Sequence, residues 1–352
     1  MLNSGDKNAT IPDILKELSN GIRSIIVTGT NGKTTTCRMI SSILKEAGIC
    51  FISNPEGANM ENRIATVFCD NYLAGEDGKN VAMLECDEGN VEKVMPKIEA
   101  DCLVITNLFP DQIHRFKSEE QLANRLCEAM RNTKPATCIL SKNCHFHDKL
   151  VSVPGWKFIH YDENENENIP KLQIPGAFNL INARAAMACA HFWGIDEDAI
   201  IRGLEKTRPA FGRFEVIEAG SSKCTFCLIK NWEGFRAVNE WLMNEDHDTF
   251  TKMVLAVNQN DGDDHDLSWI EESDFSGMSS LFKKIYVTGH GVETTARLIR
   301  QSGSEPVKIP IEEVLSLAEK HSGNMLILEN YSAMLQIRQQ FADGGYAKEY
   351  WE

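Results

Sequence analysis

The sequence has no apolar run approaching the ~20 residues that a membrane-spanning helix needs. Its N-terminal segment also has no apolar core of the kind that marks a signal peptide. Basic residues are few, because 36 lysines and arginines compare with 51 acidic residues and leave a formal net charge of -15. An acidic surface repels nucleic acids and anionic lipids. We therefore expect a cytoplasmic protein with no transmembrane segment and no nucleic-acid partner.

Paired metal-binding cysteine motifs are absent too, although cysteine itself is not rare. The 11 cysteines are scattered, and several, such as Cys37, Cys102 and Cys189, lie in apolar periodic segments. This placement is typical of reduced thiols that pack as small hydrophobic side chains. Cys224 and Cys227 are separated by an odd spacing in a predicted strand, which places them on opposite faces. Neither disulfides nor a structural zinc site is expected.

The chain has two alternations of strand and helix, and its 352 residues suffice for two domains. The first alternation predicts a parallel sheet covered on both faces. Its strands are predicted at residues 24–28, 81–85, 102–106 and 137–141. The second has predicted strands at residues 224–229, 253–257, 284–287 and 325–328. The predicted domains are therefore 1–208 and a smaller 215–352, joined by a Pro- and Gly-containing hinge at 209–214.

A glycine-containing loop follows the first predicted strand and precedes a predicted helix that begins at Lys33. The loop and the helix start comprise Gly29, Thr30, Asn31, Gly32, Lys33, Thr34 and Thr35. Backbone amides at a helix N-terminus, together with the helix dipole, favour phosphate binding. Lys33 would then reach the β and γ phosphates, and the Thr34 hydroxyl would bind Mg²⁺. The sequence thus predicts a site for ATP and Mg²⁺. The alternative is a plain glycine turn before a polar helix start.

Polar side chains follow the next two predicted strands, where the ends of parallel strands converge on a ligand crevice. Glu85 is the first choice as a carboxylate ligand of Mg²⁺, with Asp87 and Glu88 as alternates. Asn107 follows the third strand and is expected at the same edge. The alternative for the acidic residues is a helix N-terminus that favours negative charge.

The phosphate loop, read from Thr28 to Thr35, departs from the generic pattern because Val27 stands where that pattern has glycine. This shortened loop resembles that of the Mur ligase superfamily. Further segments resemble its MurT family, and they are residues 54–60, 107–115, 209–215, 230–231, 234–235, 266–269 and 331–335. The resemblance extends from about residue 24 to residue 338. It implies a Mur-ligase central ATPase domain with a parallel-type sheet, followed by a smaller Rossmann-like α/β domain.

The resemblance also implies an activity. MurT-type ligases activate a carboxylate as an acyl phosphate and amidate the D-glutamate of lipid II in peptidoglycan synthesis. The ammonia comes from a GatD-type glutaminase partner, so a heterodimer working at the inner face of the membrane is expected. Fewer than ~25 residues precede the first strand, too few for the domain with which other Mur ligases bind UDP-linked precursors. Two alternatives are a Mur-like ligase that adds an amino acid and a nucleotide-binding scaffold that does not ligate.

Individual roles follow from the same resemblance. It places Lys33 and Thr34 on phosphate and Mg²⁺, with Glu85 as a metal ligand. Asn179 and Asn182 match a segment near the adenine, with helix N-capping as the alternative. Arg213 matches a hinge arginine that reaches the terminal phosphate when the domains close, with a surface linker charge as the alternative.

Asp266 is the best match for an acidic residue that completes the catalytic triad of the glutaminase partner. Asp263 and Asp264 are its neighbours, and a solvated acidic loop is the alternative.

Several positions depart from the MurT pattern. Members of that family carry a zinc ribbon with paired Cys-x-x-Cys knuckles, and none occurs between residues 142 and 174. Only Cys144, His145 and His147 remain there, fewer than the four ligands of tetrahedral zinc unless Asp148 joins them, and we expect a solvent-facing loop. Other departures are Pro110, His114 and Glu271, where the family has arginine, aspartate and tryptophan.

Overall fold

The computed structural model describes residues 11–54, 58–75, 81–109, 118–162, 169–244, 250–259 and 267–348. The chain divides into two compact units. One comprises Met1–Gln173 and Phe178–Arg208, and the other comprises Ile174–Ala177 and Pro209–Glu352. Residues 209–214 therefore open the main segment of the second unit, and their role as a hinge stays a prediction.

The first unit is built around one sheet. Its strands are β1 (Arg23–Thr28), β2 (Ile52–Ser53), β3 (Val81–Glu85), β4 (Cys102–Ile105), β5 (Thr137–Ser141) and β6 (Lys157–Tyr161). All are parallel, in the order β2-β3-β1-β4-β5-β6. The central strands β1, β3 and β4 are almost wholly buried, as expected for a parallel sheet with both faces covered. The predicted parallel sheet is confirmed.

Helices cover this sheet. Those before residue 208 are α1 (Ile11–Ser19), α2 (Lys33–Glu46), α3 (Glu61–Ala74), α4 (Val91–Val94), α5 (Glu119–Arg131), α6 (His147–Val151), α7 (Ala177–Phe192) and α8 (Glu197–Lys206). Side-chain caps begin α5 and α8, where Ser118 and Asp196 accept hydrogen bonds from the amides of Gln121 and Ala199. Their apolar faces are buried, and α8 packs closely against α2, where a Cβ on Gly203 would lie 2.5 Å from Ile43 Cα.

The second unit contains a mixed sheet. Its strands are β7 (Arg213–Ala219), β8 (Ser221–Leu228), β9 (Phe250–Ala256), β10 (Lys284–Thr288), β11 (Val307–Lys308) and β12 (Ser322–Glu329). Its order is β11-β10-β9-β12-β8-β7, and among the described strands only the edge pairing of β7 with β8 is antiparallel. The predicted second α/β domain is confirmed, but β7 was not predicted and begins inside the segment that was expected to be only a hinge.

The second unit also contains helices, several of which pack on this mixed sheet and others on neighbouring helices. They are α9 (Trp232–Asn244), α10 (Ser268–Glu271), α11 (Ser276–Ser279), α12 (Val292–Gln301), α13 (Val314–Glu319) and α14 (Tyr331–Asp343), with a short 3₁₀ helix at Ile311–Glu313. Phe341 of α14 meets Phe226 of β8 edge to face at 5.1 Å between ring centroids. Throughout the described ranges, no helix combines the length and apolarity needed to cross a membrane.

The expected solvent-facing loop around Cys144 is partly wrong. Cys144 is only half-exposed and packs against the core of the first unit, and His147 begins the short helix α6. His145 is exposed, and its Nδ1 lies 3.0 Å from Glu119 Oε2. Cys144 is partly buried by apolar neighbours that are distant in sequence, so the short polar stretch around it does not predict this burial.

Candidate functional site

The loop between β1 and α2 is shaped by two glycines with positive φ. Gly29 has φ 129°, and a Cβ there would lie 2.3 Å from Thr106 Oγ1. Gly32 has φ 82°, and a Cβ there would lie 2.3 Å from the Asn182 side-chain oxygen. Other residues rarely adopt this conformation, and no side chain fits the space. The backbone thus turns tightly enough for α2 to begin at Lys33.

The end of β4 holds the loop in place. Thr30 N donates to the Asn107 carbonyl at 3.0 Å. Asn31 N donates to Asn107 Oδ1 at 2.8 Å, and Asn107 Nδ2 donates back to the Asn31 carbonyl at 2.9 Å. Thr106 Oγ1 donates to that carbonyl as well, at 2.7 Å. Asn107 therefore lies at the predicted edge, where it fixes the loop backbone.

Lys33 carries a positive charge close to three acidic side chains. Its side chain is 9% exposed, and its Nζ lies 2.9 Å from Glu88 Oε2. The same Nζ donates to the carbonyls of Gly29 and Thr30. Burial lowers the pKa of Lys33, but the carboxylates of Glu88, Glu85 and Asp87 outweigh this effect and raise the pKa above its ordinary value. The ammonium group therefore stays charged at neutral and mildly alkaline pH.

Glu85 ends β3 next to this lysine, and amides of the neighbouring segment hold it. Asn54 bridges its backbone, accepting from Glu85 N and donating to Glu85 O, each at 2.9 Å. Asn59 Nδ2 donates to Glu85 Oε1 at 3.3 Å. Asp87 accepts from Gly89 N at 2.9 Å and so stabilises the turn after the strand. Of the three acidic candidates, Glu88 forms the ion pair with Lys33. Glu85 Oε1 lies outside that ion pair and accepts from Asn59.

The first turn of α2 and the middle of α7 supply the remaining predicted residues of the first unit. Thr34 and Thr35 follow Lys33 and are buried. Asn179 and Asn182 lie inside α7, so the alternative of helix N-capping is wrong for both. Asn182 Nδ2 donates to Asn179 Oδ1 at 3.1 Å, and both side chains are buried. The structure thus brings Asn182 to the phosphate loop, while the adenine role stays a prediction.

Arg213 begins β7 in the second unit. It is half-buried, and its Nη1 donates to the Phe211 carbonyl at 3.2 Å. Asp266, with Asp263 and Asp264, lies outside the described residues.

Pro110 and His114, two of the departures from the MurT pattern, also lie outside the described residues. Glu271 ends α10 and forms a surface ion pair with Arg297 at 2.8 Å.

Three carboxylates and a lysine thus gather at one edge of the parallel sheet. Among the residues described, no group of three or more acidic, histidine or cysteine side chains is placed to hold a metal ion. Mg²⁺ bound to a nucleotide takes one or two carboxylates, with phosphate oxygens and water completing its shell. Glu85 at the end of β3 and Thr34 in the first turn of α2 stay the predicted ligands.

Two family models match the chain. The Mur ligase middle domain matches residues 27–171, which include the phosphate loop and Glu85. The MurT ligase C-terminal model matches residues 228–334 of the second unit. The two matches follow one another in the order that the sequence patterns predicted.

Relatives and solved structures agree with these models. The MurT subunit of the glutamine-hydrolysing lipid II isoglutaminyl synthase from Streptococcus pneumoniae is 30% identical, over 94% of this chain and 89% of its own length. The subunit of the same name from Staphylococcus aureus is 25% identical, over 93% of this chain and 89% of its own length.

The solved structures share the fold. MurF from Acinetobacter baumannii has a TM-score of 0.75 at 19% identity, over 94% of this chain and 78% of that one. FolC from E. coli has a TM-score of 0.70 at 16% identity, over 99% and 96% of the two chains. From its identity to the pneumococcal subunit and the two family models, the chain belongs to the MurT family of Mur ligases.

Proposed function

We propose that this chain is the ligase subunit of an ATP-dependent amidating enzyme of peptidoglycan synthesis. Its substrate is the D-glutamate carboxylate of lipid II, and its nitrogen comes from a GatD-type glutaminase. The two MurT relatives are named as subunits of a glutamine-hydrolysing lipid II isoglutaminyl synthase, and these names support the same reaction for a chain of that family. The observation that carries the proposal is the buried Lys33 ammonium at the mouth of a glycine loop, beside Glu85 and Glu88.

The chemistry requires charge neutralisation more than a protein nucleophile. A carboxylate is a poor electrophile and must first be activated. Its oxygen attacks the γ-phosphorus of ATP, ADP leaves, and an acyl phosphate forms. Ammonia then attacks the acyl carbon, and the C–O bond breaks with release of inorganic phosphate. Lys33 and Arg213 are proposed to neutralise charge on the transferred phosphoryl group. Mg²⁺, when bound with ATP, adds positive charge, and Thr34 and Glu85 are its proposed ligands.

Other residues have proposed roles in recognition. The backbone amides at the N-terminus of α2 would bind phosphate oxygens, as at other helix N-termini, whereas those of Thr30 and Asn31 donate to Asn107. Asn179 and Asn182 are proposed to lie near the adenine. Asp266 is proposed to serve the catalytic site of the glutaminase. We place this work in the cytoplasm, at the inner face of the membrane where a lipid-linked precursor is reached.

The nitrogen source gives the most direct test. The purified chain is incubated with lipid II, ATP, Mg²⁺ and ammonium chloride, and the product is identified by mass spectrometry. We expect amidation with ammonium alone, and amidation with glutamine only after the glutaminase is added. Hydroxylamine in place of ammonium should trap the acyl phosphate as a hydroxamate.

Two outcomes would replace this proposal. A product that contains an added amino acid would identify an amino-acid-adding ligase. Nucleotide binding without any hydroxamate would identify a scaffold that does not ligate. A glutaminase of the GatD type that co-purifies with the chain would support the heterodimer.

A further inference from the structure

A buried ion pair lies directly beside Arg213 in the second unit. Arg338 of α14 donates to Glu215 Oε1 from Nε at 3.2 Å and from Nη2 at 3.0 Å. The two side chains are only 7% and 21% exposed. A guanidinium that donates two hydrogen bonds to one carboxylate fixes direction as well as distance. The pair therefore sets the orientation of Glu215 relative to α14.

The same two residues also hold the other side of Arg213. Gly212 N donates to Glu215 Oε2 at 3.0 Å, and the Arg338 guanidinium carbon lies 4.9 Å from the Phe211 ring centroid. Gly212 is pressed closely against α14, since a Cβ there would lie 2.1 Å from Met334 Sδ. Residues on both sides of Arg213 are thus fixed by one carboxylate and one guanidinium.

The backbone between them is irregular. Phe214 is the one non-glycine residue with positive φ among the described residues, at 59°. Its ring is buried and meets Trp241 edge to face at 4.8 Å. The pairing of β7 with β8 shifts register between Arg213 and Glu215. A bulge of this kind changes the direction in which a side chain points, and a strained residue persists only where its surroundings hold it.

We propose that Glu215 and Arg338 are positioning residues for Arg213. They maintain the bulge at Phe214, and the bulge directs the Arg213 side chain for its role at the terminal phosphate. This inference rests on the proposed function, because Arg213 acts on phosphate only in a ligase. It adds two residues that touch neither nucleotide nor carboxylate substrate and that act through a third.

A double-mutant comparison separates positioning from plain stabilisation. Glu215→Gln removes the charge but keeps the shape, and Arg338→Lys keeps the charge but loses the double hydrogen bond. Each is made in the wild-type chain and in Arg213→Ala, and kcat and the KM for ATP are measured with the complete enzyme. We expect kcat to fall about 10- to 100-fold in the wild-type background, with a small change in KM. In the Arg213→Ala background, neither variant should lower kcat further.

An equal loss in both backgrounds would show that the pair acts on general stability, and it would overturn the proposal. The exposed Glu305, which pairs with Arg300 at 3.1 Å, supplies a matched control. Glu305→Gln should leave kcat unchanged in both backgrounds.

A second readout does not depend on activity. Arg213 provides the trypsin site within 208–214, because Arg208 is followed by Pro209 and that bond resists the enzyme. We expect Glu215→Gln and Arg338→Lys to speed cleavage after Arg213 at least about ten-fold, with cleavage elsewhere unchanged. Unchanged cleavage after Arg213 would overturn the proposal. A different result is that the wild type performs no ligation but the variants are still cleaved faster. That result would overturn the proposed function, while the Glu215–Arg338 pair would still be shown to order the segment.

Discussion

The two units each bury an ion pair at a proposed functional segment, and the two pairs are built differently. In the first, the Lys33 ammonium meets a single Glu88 oxygen and two loop carbonyls. In the second, Arg338 donates to the Glu215 carboxylate from both Nε and Nη2, and to the Lys348 carbonyl from Nη1 at 2.7 Å. An ammonium group is a compact charge on a flexible stem, whereas a guanidinium is a rigid fork. We infer that the first pair is suited to exchanging partners and the second to holding a backbone.

Replacement of Lys33 should have the largest effect on activity. Lys33→Ala removes the cation proposed for the phosphoryl group, so we expect kcat to fall about 10²- to 10³-fold while the fold is retained. Phosphate release and circular dichroism measure the two properties. Lys45→Ala, an exposed lysine in the last turn of the same helix, is the control and should keep full activity. Wild-type turnover by Lys33→Ala would remove this lysine from the proposed site.

Glu88→Gln tests whether the first pair exchanges partners. The variant leaves a buried ammonium without its carboxylate, so the ligand-free protein should lose about 3 kcal/mol in its free energy of unfolding. Phosphate oxygens would then replace the missing charge, and ATP with Mg²⁺ should stabilise the variant more than the wild type. Thermal unfolding with and without nucleotide measures both effects.

The exposed Glu99, 3.4 Å from Lys134, is the control for that experiment. Glu99→Gln should change neither quantity, because surface pairs contribute little. If nucleotide stabilises Glu88→Gln and wild type equally, the pair is fixed rather than exchangeable.

Gly32→Ala tests the shape of the loop. Gly32 and Gly48 both have positive φ, 82° and 71°, but only Gly32 has a neighbour within 4 Å of an added Cβ. Both alanine variants carry the backbone penalty, and Gly32→Ala should lose about 2 kcal/mol more because of the contact with Asn182. Urea unfolding of the two variants gives the difference. Equal losses would mean that Asn182 yields without cost.

Glu329→Gln should have the smallest effect, and its effect depends on pH. Burial, and then the nearby Glu215 carboxylate, raise the pKa of Glu329 well above its ordinary value of 4.5, although Arg338 opposes this. Neither oxygen of the fully buried side chain has a hydrogen-bond partner among the described residues. The native state thus binds the proton more tightly than the unfolded chain. The stability that protonation of Glu329 contributes is complete below the ordinary pKa and is lost as the pH rises toward the raised pKa.

We therefore expect the wild type to lose about 1 kcal/mol relative to Glu329→Gln between about pH 5 and pH 6. Thermal unfolding at the two pH values measures the loss. Glu218→Gln, at an exposed position of β7, should leave the wild-type pH dependence intact. The same slope in wild type and Glu329→Gln would mean that Glu329 ionises normally.

Much of the first unit could be predicted from sequence because its strands are continuous apolar runs that end in polar residues. The loop at 29–35, and the strand ends at Glu85 and Asn107, follow from that pattern. The partner of Lys33 could not be assigned. Glu85, Asp87 and Glu88 are spaced closely at the end of one strand, and in the folded chain Asp87 accepts from Gly89 N while Glu88 faces the lysine.

The second unit was less predictable at its edge. Strand β7 alternates exposed and buried residues instead of forming an apolar run, and it contains the bulge beside Phe214. The sequence pattern at its start is therefore typical of a linker. Strand β6 was missed for a related reason, since only the last of its five side chains is buried. Asn54 and Asn59 carry no local signal, because their contacts with Glu85 depend on a partner about thirty residues away.

The contact between Gly32 and Asn182 also has a consequence for sequence variation. The amide on α7 occupies the volume that any side chain at position 32 would need. Two positions 150 residues apart in the sequence therefore constrain one another's substitutions. A smaller residue at 182 would lower the cost of losing the glycine, although the positive φ of position 32 would still disfavour a side chain there. In an alignment of the family, the two columns should vary together or not at all.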